Sequence, residues 1–440
     1  MEYDVVIVGA GSSGGVLAAR LSEDRDRTVL LLEAGPDYAQ VEELPFDLAH
    51  AHEPSAIEHD WGFVADAVEG REIAMTRGKV VGGSSAVNTA IAIRGAPADY
   101  DGWAALGNPR WSWEQCLPYF RRLEDDQDEE GDYHGRGGPI PVVRWTEEEM
   151  HPLQKAFRDA CVERGHALIT DQNDPSGTGV GPIAMNRRGR VRWSTALAYL
   201  GPARQRLNLT IRSGCLVERV LVEDGRAVGL RVESGGEMQT VHGREIVIAA
   251  GSIQSPAILL RSGIGPRADV EALGITSTVD LPGVGAHLMD HPMSPVLCRA
   301  KPGSVDAGDP LVQMLLRYRS AGGEFNDMQV YMLGHMEIED PSFVDTGGGT
   351  TAFALAPGVQ LSKSIGSVRL KSADLHDHPE VTLNFVENED DLRRLREGVR
   401  LVWDIATSEP VASFHDGVEG LDAATVGDDG ALNDYIRETA

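Results

Sequence analysis

The amino-terminal end of the chain contains three closely spaced glycines followed by an acidic residue. Gly9, Gly11 and Gly14 have the GxGxxG spacing, and Glu33 follows about 20 residues later. In this pattern the first glycine permits a tight turn, the second lets the backbone approach a pyrophosphate, and the third lets a helix pack on a strand. Glu33 can accept hydrogen bonds from ribose hydroxyls and would repel a 2′-phosphate. These residues therefore have the types and spacing of a dinucleotide-binding site.

The glycines lie between the sequence patterns of a strand, a helix and a second strand. Residues 3–8 are an apolar, β-branched run, residues 15–21 are rich in alanine and leucine, and residues 28–32 form a second apolar run. This order predicts a βαβ unit whose helix amino terminus offers N–H groups to phosphates. We therefore extend the candidate cofactor-binding residues to the neighbours of the turn and of the acid, Ser12, Ser13 and Ala34. A glycine-rich turn that binds nothing is the alternative, and the motif does not decide between NAD and FAD.

Two further stretches combine glycine with neighbours that look ordered. Residues 82–86 are all small and precede the apolar segment 89–93, a context that favours close approach of the backbone to a ligand. Residues 245–250 have the composition of a buried parallel strand and lead through Gly251 into a helix-like run, 256–261. This second strand–glycine–helix unit belongs with the first in one sheet.

The composition is that of an ordinary globular protein with an excess of acidic residues. The 440 residues are 42% hydrophobic, and 40 basic against 68 acidic side chains give a formal net charge of −28. This charge argues against nucleic acid or an anionic membrane as a partner. The four cysteines are far apart, which predicts neither a disulfide framework nor a metal site and fits the cytoplasm. We expect no membrane span, and a first strand at residue 3 leaves no room for a signal peptide.

The chain is too long for one compact core, which predicts two domains. Residues 37–75 show no long periodic pattern and should be mostly loop, whereas Asp224-Gly225 should turn a hairpin. Amphipathic helices are predicted at residues 152–164 and 391–407. Short strands of a mixed or antiparallel sheet are predicted at 328–334, 351–355, 367–370 and 381–385.

Several polar and aromatic stretches have a structural interpretation only. Trp103, Trp111 and Trp113 are expected in the core. The acidic run 124–132 lacks the ligand spacing of a calcium loop and should be a solvated surface loop, and His134 just after it should be exposed. Asp60-Trp61-Gly62-Phe63 is an aromatic patch that can be explained by loop packing.

Four stretches together resemble the glucose-methanol-choline (GMC) oxidoreductases, FAD enzymes that oxidise alcohols. They are the glycine turn with residues 33–35, the stretch 78–88, the stretch 251–266, and residues 281–285 with Asp290-His291-Pro292. The second and third are similar to the two signatures of the family. The match runs along the whole chain.

The resemblance implies an α/β fold with two discontinuous domains. A Rossmann-like FAD-binding domain on a parallel sheet would comprise residues 1–95 and 190–291, without its last carboxy-terminal piece. A second, α+β substrate-binding or cap domain on a mixed or antiparallel sheet would comprise residues 96–189 and 292–440.

The resemblance also implies cofactor contacts and partners. Val81, Ser84 and Asn88 would lie along the flavin, and Val217 would contact the adenine. Some relatives attach FAD covalently through a histidine where this chain has Val87, so non-covalent FAD is implied. The partners would be a small-molecule alcohol and an electron acceptor, either oxygen or another carrier.

One departure from the family concerns the catalytic base, a group that contributes on the order of 10²–10⁴ in rate. In the family, the catalytic histidine follows a segment similar to residues 435–439, and the sequence ends at Ala440. We expect a truncated form of a longer enzyme, so that the 440-residue chain has no catalytic residue and is inactive. His287 and His291 have a strong local context, but the family uses that corner structurally.

Three functions remain open at this point. The first is an FAD-dependent alcohol dehydrogenase or oxidase, the second a non-redox cyanohydrin lyase on the same fold, and the third a flavin-binding remnant without activity. The identity of the alcohol, the choice of electron acceptor and the oligomeric state cannot be predicted from the sequence.

Overall fold

The computed structural model describes residues 2–52, 54–55, 58–338 and 350–440. Its strands are, in chain order, β1 Glu2–Val8, β2 Val29–Leu32, β3 Phe63–Val68, β4 Arg71–Met75, β5 Glu124–Asp126, β6 Ile140–Val142, β7 Gly179–Pro182, β8 Arg187–Arg188, β9 Val191–Arg192, β10 Leu209–Arg212, β11 Cys215–Glu223, β12 Arg226–Ser234, β13 Glu237–Ile248, β14 Ile264–Gly265, β15 Val279–Asp280, β16 Val296–Ala300, β17 Val312–Tyr318, β18 Met328–Ile338, β19 Thr350–Val359, β20 Ser367–Arg369, β21 Glu380–Thr382 and β22 His415–Val418. Its helices are α1 Ser12–Leu21, α2 Phe46–Ala49, α3 Pro97–Ala105, α4 Trp113–Leu123, α5 Pro152–Glu163, α6 Gly201–Ala203, α7 Gly251–Arg261, α8 Arg267–Ala272, α9 Glu389–Ala406, α10 Glu409–Ala412, α11 Ala423–Gly427 and α12 Asp429–Thr439.

The chain divides into two compact units, each made of three segments. The first unit contains Met1–Ala90, Arg188–Met289 and Ile365–Asn384. The second unit contains Ile91–Arg187, Asp290–Ser364 and Phe385–Ala440. The predicted division places residues 365–384 in the second domain, whereas they lie in the first unit, because β20 pairs with β21 and β21 pairs with β3.

The first unit is built on a six-stranded sheet in the order β10-β2-β1-β13-β12-β11. The four strands β10, β2, β1 and β13 run parallel, and the hairpin β11–β12 continues the sheet antiparallel. β2 is fully buried, as an all-apolar strand in a parallel sheet covered on both faces should be. The predicted βαβ unit, the second strand–glycine–helix unit and the hairpin at Asp224-Gly225 are all confirmed.

A smaller sheet in the first unit, β20-β21-β3-β4, corrects the prediction that residues 37–75 are mostly loop. In β3, Phe63, Ala65 and Ala67 are buried and alternate with exposed Val64 and Asp66. This alternation is the period of a half-buried strand. The signal was present in the sequence but covers only a few residues.

The second unit is built on an antiparallel six-stranded sheet, β22-β16-β19-β18-β17-β7. The helices α5 and α9 pack on it, and α9 does so through its buried apolar stripe of Leu395, Val399 and Val402. Both predicted amphipathic helices are confirmed. The predicted α/β fold, with a second α+β domain on its own sheet, is confirmed as well.

Two tryptophans expected in the core lie at the surface of the second unit. Trp103 is 48% exposed and Trp111 is 55% exposed. They contact each other edge-to-face and belong to the segment from α3 to α4. Among the described residues, Tyr100 is the buried residue of α3, and no residue of α4 is buried. This segment therefore offers little buried core into which a tryptophan could pack.

The acidic run 124–132 is not a solvated loop throughout. Glu124 and Asp126 are buried, and so is His134, which we expected to be exposed. Nδ1 of His134 lies 3.1 Å from a carboxylate oxygen of Asp126 and 3.4 Å from one of Glu124. Arg144 lies 2.9 Å from Asp126. Burial of these carboxylates is possible because arginines face them, Arg144 at Asp126 and Arg94 at Glu124, and local composition does not reveal these partners.

Two properties bear on the expected surroundings of the protein. Within the described ranges, no helix combines the length and the apolar character needed to cross a membrane. The longest helix of those ranges, α9, has 18 residues and begins with three acidic side chains. All four cysteines are free thiols.

Candidate functional site

A cavity of about 530 Å³ lies in the first unit, along the carboxyl ends of β1, β2 and β13. In open parallel sheets this edge is where ligands bind, and the volume falls in the range of about 300–1,000 Å³ that is typical of ligand pockets. The predicted cofactor-binding residues that line the cavity are Gly9, Gly11, Ser12, Ser13, Glu33, Ala34, Ser84 and Val217. They come from segments far apart in the chain, so the parallel sheet is what brings them together.

Gly14 and Gly11 of the glycine turn differ in whether the protein's own packing requires glycine. A Cβ at Gly14 would lie 1.9 Å from the carbonyl oxygen of Gly9, so α1 can pack on β1 only with glycine there. A Cβ at Gly11 would meet its nearest neighbour, Gly83 Cα, at an ordinary 3.6 Å. Packing inside the protein therefore does not require glycine at position 11. The open space in front of Gly11 belongs to the cavity, where a bound group could approach the backbone.

The amino terminus of α1 opens onto the same cavity. Gly11 is its N-cap residue, and no side chain caps the helix. The first N–H groups of a helix have no partner within the helix, and the positive end of its dipole favours anions. Ser12 and Ser13, the first residues of α1, line the cavity and thus present these groups to it.

Glu33 is a buried carboxylate held by the backbone at the wall of the cavity. Its Oε2 accepts from the N–H of Ala10 at 2.9 Å, and its Oε1 accepts from the N–H of Gly35 at 3.0 Å. Burial raises the pKa of Glu33, and the two N–H groups oppose that rise because they stabilise the charged form. Each carboxylate oxygen retains a second lone pair, which suits it to accept from a hydroxyl of a ligand.

The small-residue stretch 82–86 lies against the glycine turn. Gly83 has φ +52°, and a Cβ there would lie only 2.6 Å from Gly11 Cα. The N–H of Gly82 donates to the carbonyl oxygen of Ala10 at 2.9 Å. The sequence predicts that the backbone of this stretch closely approaches a ligand. In the structure, part of this close approach is to the glycine turn itself. Gly83 and Ser84 of the stretch face the cavity.

Three predicted residues do not line the cavity. Gly14 is buried behind it in α1, and Val81 is buried with its N–H donating to the carbonyl oxygen of Pro36. Asn88 is exposed, and its Oδ1 accepts from the N–H of Ala90 at 3.0 Å. These contacts leave their predicted roles at the cofactor untested.

Trp61, Phe63 and Arg77 line the cavity and were missed as candidates. The rings of Trp61 and Phe63 are stacked with centroids 5.6 Å apart. The sequence signal was the aromatic patch at residues 60–63, which loop packing explained equally well. Arg77 places a cation at the cavity, and guanidinium groups are well suited to phosphate.

The lining as a whole fits a dinucleotide such as FAD. The helix amino terminus and Arg77 suit a pyrophosphate, and Glu33 suits a ribose hydroxyl. The apolar walls of β11 and the aromatic pair suit flat rings. No histidine is among the described residues that line this cavity.

Comparison with known proteins identifies the relatives of the chain. The GMC oxidoreductase family models match residues 3–293 and residues 362–440. The oxygen-dependent choline dehydrogenase of Photobacterium profundum is 33% identical over 99% of this chain and 81% of its own length. That of Pseudomonas fluorescens is 35% identical over 100% of this chain and 82% of its own length. A crystal structure of pyridoxine 4-oxidase from Mesorbium loti matches with a TM-score of 0.89 and 30% identity, over 100% of this chain and 86% of that one.

Proposed function

The chain belongs to the GMC oxidoreductase family, an FAD-dependent family of alcohol oxidoreductases, and we propose that it converts the CH–OH group of an alcohol to an aldehyde or ketone. The observation that carries this proposal is the cavity at the glycine turn, whose lining fits the cofactor of the family. The first unit would then hold FAD and the second would contribute to recognition of the substrate.

Alcohol oxidation needs an acceptor for hydride and an acceptor for the hydroxyl proton. FAD, when bound, supplies the hydride acceptor. The residues of the cavity bind and orient it: α1 would hold the pyrophosphate, Glu33 a ribose, and the stretch 82–86 the flavin end. Val87 is buried and has no nucleophilic atom, which supports non-covalent binding.

Alcohol oxidation also requires a base that accepts the hydroxyl proton. The resemblance places the catalytic histidine of the family after a segment similar to residues 435–439. Two histidines of the described chain also have structural partners: Nδ1 of His291 lies 3.0 Å from the carbonyl oxygen of Val359, and Nε2 of His415 lies 3.0 Å from that of Ala406. The free thiols fit the proposed cytoplasmic location.

The test compares two polypeptides under anaerobic conditions. One is the 440-residue chain, and the other carries in addition the segment that follows the matching position in the Photobacterium choline dehydrogenase. Both are loaded with FAD and mixed with a panel of alcohols that includes choline and pyridoxine. We expect both to bind FAD and the extended chain to lose the colour of oxidised flavin.

The panel also separates the alternative functions. Flavin that stays oxidised in both polypeptides with every alcohol would contradict alcohol oxidation and favour a remnant without activity. Release of an aldehyde from a cyanohydrin without bleaching would favour the lyase. Absence of FAD from both folded polypeptides would contradict the cofactor assignment itself.

A further inference from the structure

Arg192 is the largest side chain among the fully buried ones of the described chain, at 1% exposure. Its guanidinium donates to four backbone carbonyl oxygens, and no motif of the sequence had singled it out. Nη1 donates to Asp47 at 3.0 Å, to Leu48 at 3.2 Å and to Ala86 at 2.5 Å. Nη2 donates to His50 at 2.6 Å. One side chain therefore joins the end of α2 to the small-residue stretch of the cavity.

A second contact from the same segment holds the residue next to Ala86. The N–H of Thr195 donates to Oγ of Ser85 at 3.1 Å, and the two hydroxyl groups lie 3.0 Å apart. Oγ of Ser85 donates in turn to the carbonyl oxygen of Gly82 at 2.6 Å. Residues 192–195 thus fix both ends of the turn formed by residues 82–86.

The segment that begins at α2, which Arg192 also holds, makes a further contact next to the stretch 82–86. The N–H of Ser55 donates to the carbonyl oxygen of Val87 at 2.8 Å. Oγ of Ser55 donates to the carboxylate of Asp47 at 2.5 Å. Loss of the guanidinium would leave buried carbonyl groups without this donor on both sides, so both segments would have to move to find new partners.

The guanidinium carries its charge at neutral pH. Burial lowers the pKa of Arg192 to about 10, and the nearby carboxylate of Asp47 opposes that shift. A hydrogen bond from a charged donor is stronger than one from a neutral donor. A cation is therefore fixed at the carbonyl oxygen of Ala86, in the same stretch as the cavity-lining residues Gly83 and Ser84.

We propose that Arg192 is a positioning residue of the FAD site, which holds the stretch 82–86 against the glycine turn so that Gly83 and Ser84 face the flavin. This inference rests on the proposed function in one respect, namely that FAD occupies the cavity. It does not depend on alcohol oxidation. Arg192 touches neither cofactor nor substrate and acts through the backbone that it holds.

The test measures FAD affinity and the visible absorption spectrum of bound FAD in Arg192→Met and Arg192→Lys. Arg317→Met is the matched control, because Arg317 is also a buried arginine, donates to backbone carbonyl groups of Gln172 and Gly177, and lies in the second unit. We expect Arg192→Met to weaken FAD binding roughly 10–100-fold, by analogy with the loss of outer-shell partners that orient metal ligands. The shape of the flavin absorption bands should also change.

The lysine variant separates positioning from general destabilisation. It retains the charge and some of the hydrogen bonds, so its FAD affinity and spectrum should lie between those of the wild type and Arg192→Met. Arg317→Met should lose thermal stability but bind FAD with wild-type affinity and spectrum. Wild-type affinity and spectrum in Arg192→Met, or an equal loss in Arg317→Met, would overturn the proposal.

The design remains decisive if Arg192→Met does not fold. Arg192→Lys and Ser85→Ala then carry the test, and weaker FAD binding with an altered spectrum in both supports the proposal, whereas wild-type values in both overturn it. None of these measurements uses alcohol turnover. Their outcome can therefore be interpreted even if the chain does not oxidise alcohols.

Discussion

A methyl group at position 83 should damage the candidate site far more than a methyl group at a matched turn. Gly83 has φ +52° and Gly70 has φ +80°, so alanine at either position costs about 1–2 kcal/mol for the left-handed backbone. A Cβ at Gly83 would lie 2.6 Å from Gly11 Cα, whereas nothing lies within 4 Å of a Cβ at Gly70. Forcing an extra carbon into a packed contact adds about 1–3 kcal/mol. We therefore expect Gly83→Ala to lower the free energy of unfolding by about 2–5 kcal/mol and Gly70→Ala by about 1–2 kcal/mol.

The effect on the cofactor should separate the two variants further. The clash at Gly83 is relieved by moving the stretch 82–86 away from the glycine turn, which changes the wall of the cavity. Urea titration of the apo-protein gives the stability difference, and titration with FAD gives the affinity. We expect FAD binding to weaken at least about tenfold, equivalent to 1.4 kcal/mol, in Gly83→Ala and to be unchanged in Gly70→Ala. Equal stability or equal FAD affinity of the two variants would refute this reasoning.

Three further predictions test other parts of the account. Asp126→Ala should lower the free energy of unfolding by about 2–4 kcal/mol, because it removes the acceptor of three hydrogen bonds from buried Arg144 and leaves Asp171 as the remaining buried carboxylate partner. Glu130→Ala, which removes an exposed ion pair, should cost less than about 1 kcal/mol, and similar losses of the two variants in urea titrations would contradict the prediction. Hydrogen bonds from Lys363 and Arg393 lower the pKa of Asp390 from 3.8 to about 2, so its contribution to stability is present above pH 3.8 and is lost as the pH falls toward 2. Asp390→Asn should therefore flatten the decline of stability in that window, and an unchanged acid-unfolding curve would show the carboxylate to be irrelevant. FAD should remain in the supernatant after acid precipitation, because Val87 has no nucleophile; flavin in the protein pellet would indicate a covalent bond.

The elements around the glycine turn were predictable because their causes are local. Gly14 is needed for a contact with Gly9, five residues away in sequence, and the apolar runs of β1 and β2 specify parallel strands by their composition. The cofactor assignment came from the resemblance, since the glycine spacing alone leaves NAD and FAD open. The sheet then explains why residues as distant as Glu33 and Val217 line one cavity.

The parts that sequence reasoning missed depend on contacts between distant residues. Arg192 looks like any other arginine in the sequence, and its role appears only when its partners, 106 to 145 positions away, are known. The burial of Asp126 depends on Arg144 and His134, which the composition of the acidic run cannot reveal. For Trp103 the prediction of burial was wrong. A large apolar side chain favours burial, but burial also requires neighbouring residues that form a core.

The central claim is that the cavity at the glycine turn binds FAD. The most direct measurement is an equilibrium titration of the folded apo-chain with FAD, followed by flavin fluorescence, with the Gly11→Val variant as a control. The account predicts saturable binding of one FAD per chain, which a valine side chain in the open space at position 11 should abolish. A folded chain that stays colourless with excess FAD, or a Gly11→Val variant that binds as well as the wild type, would contradict it.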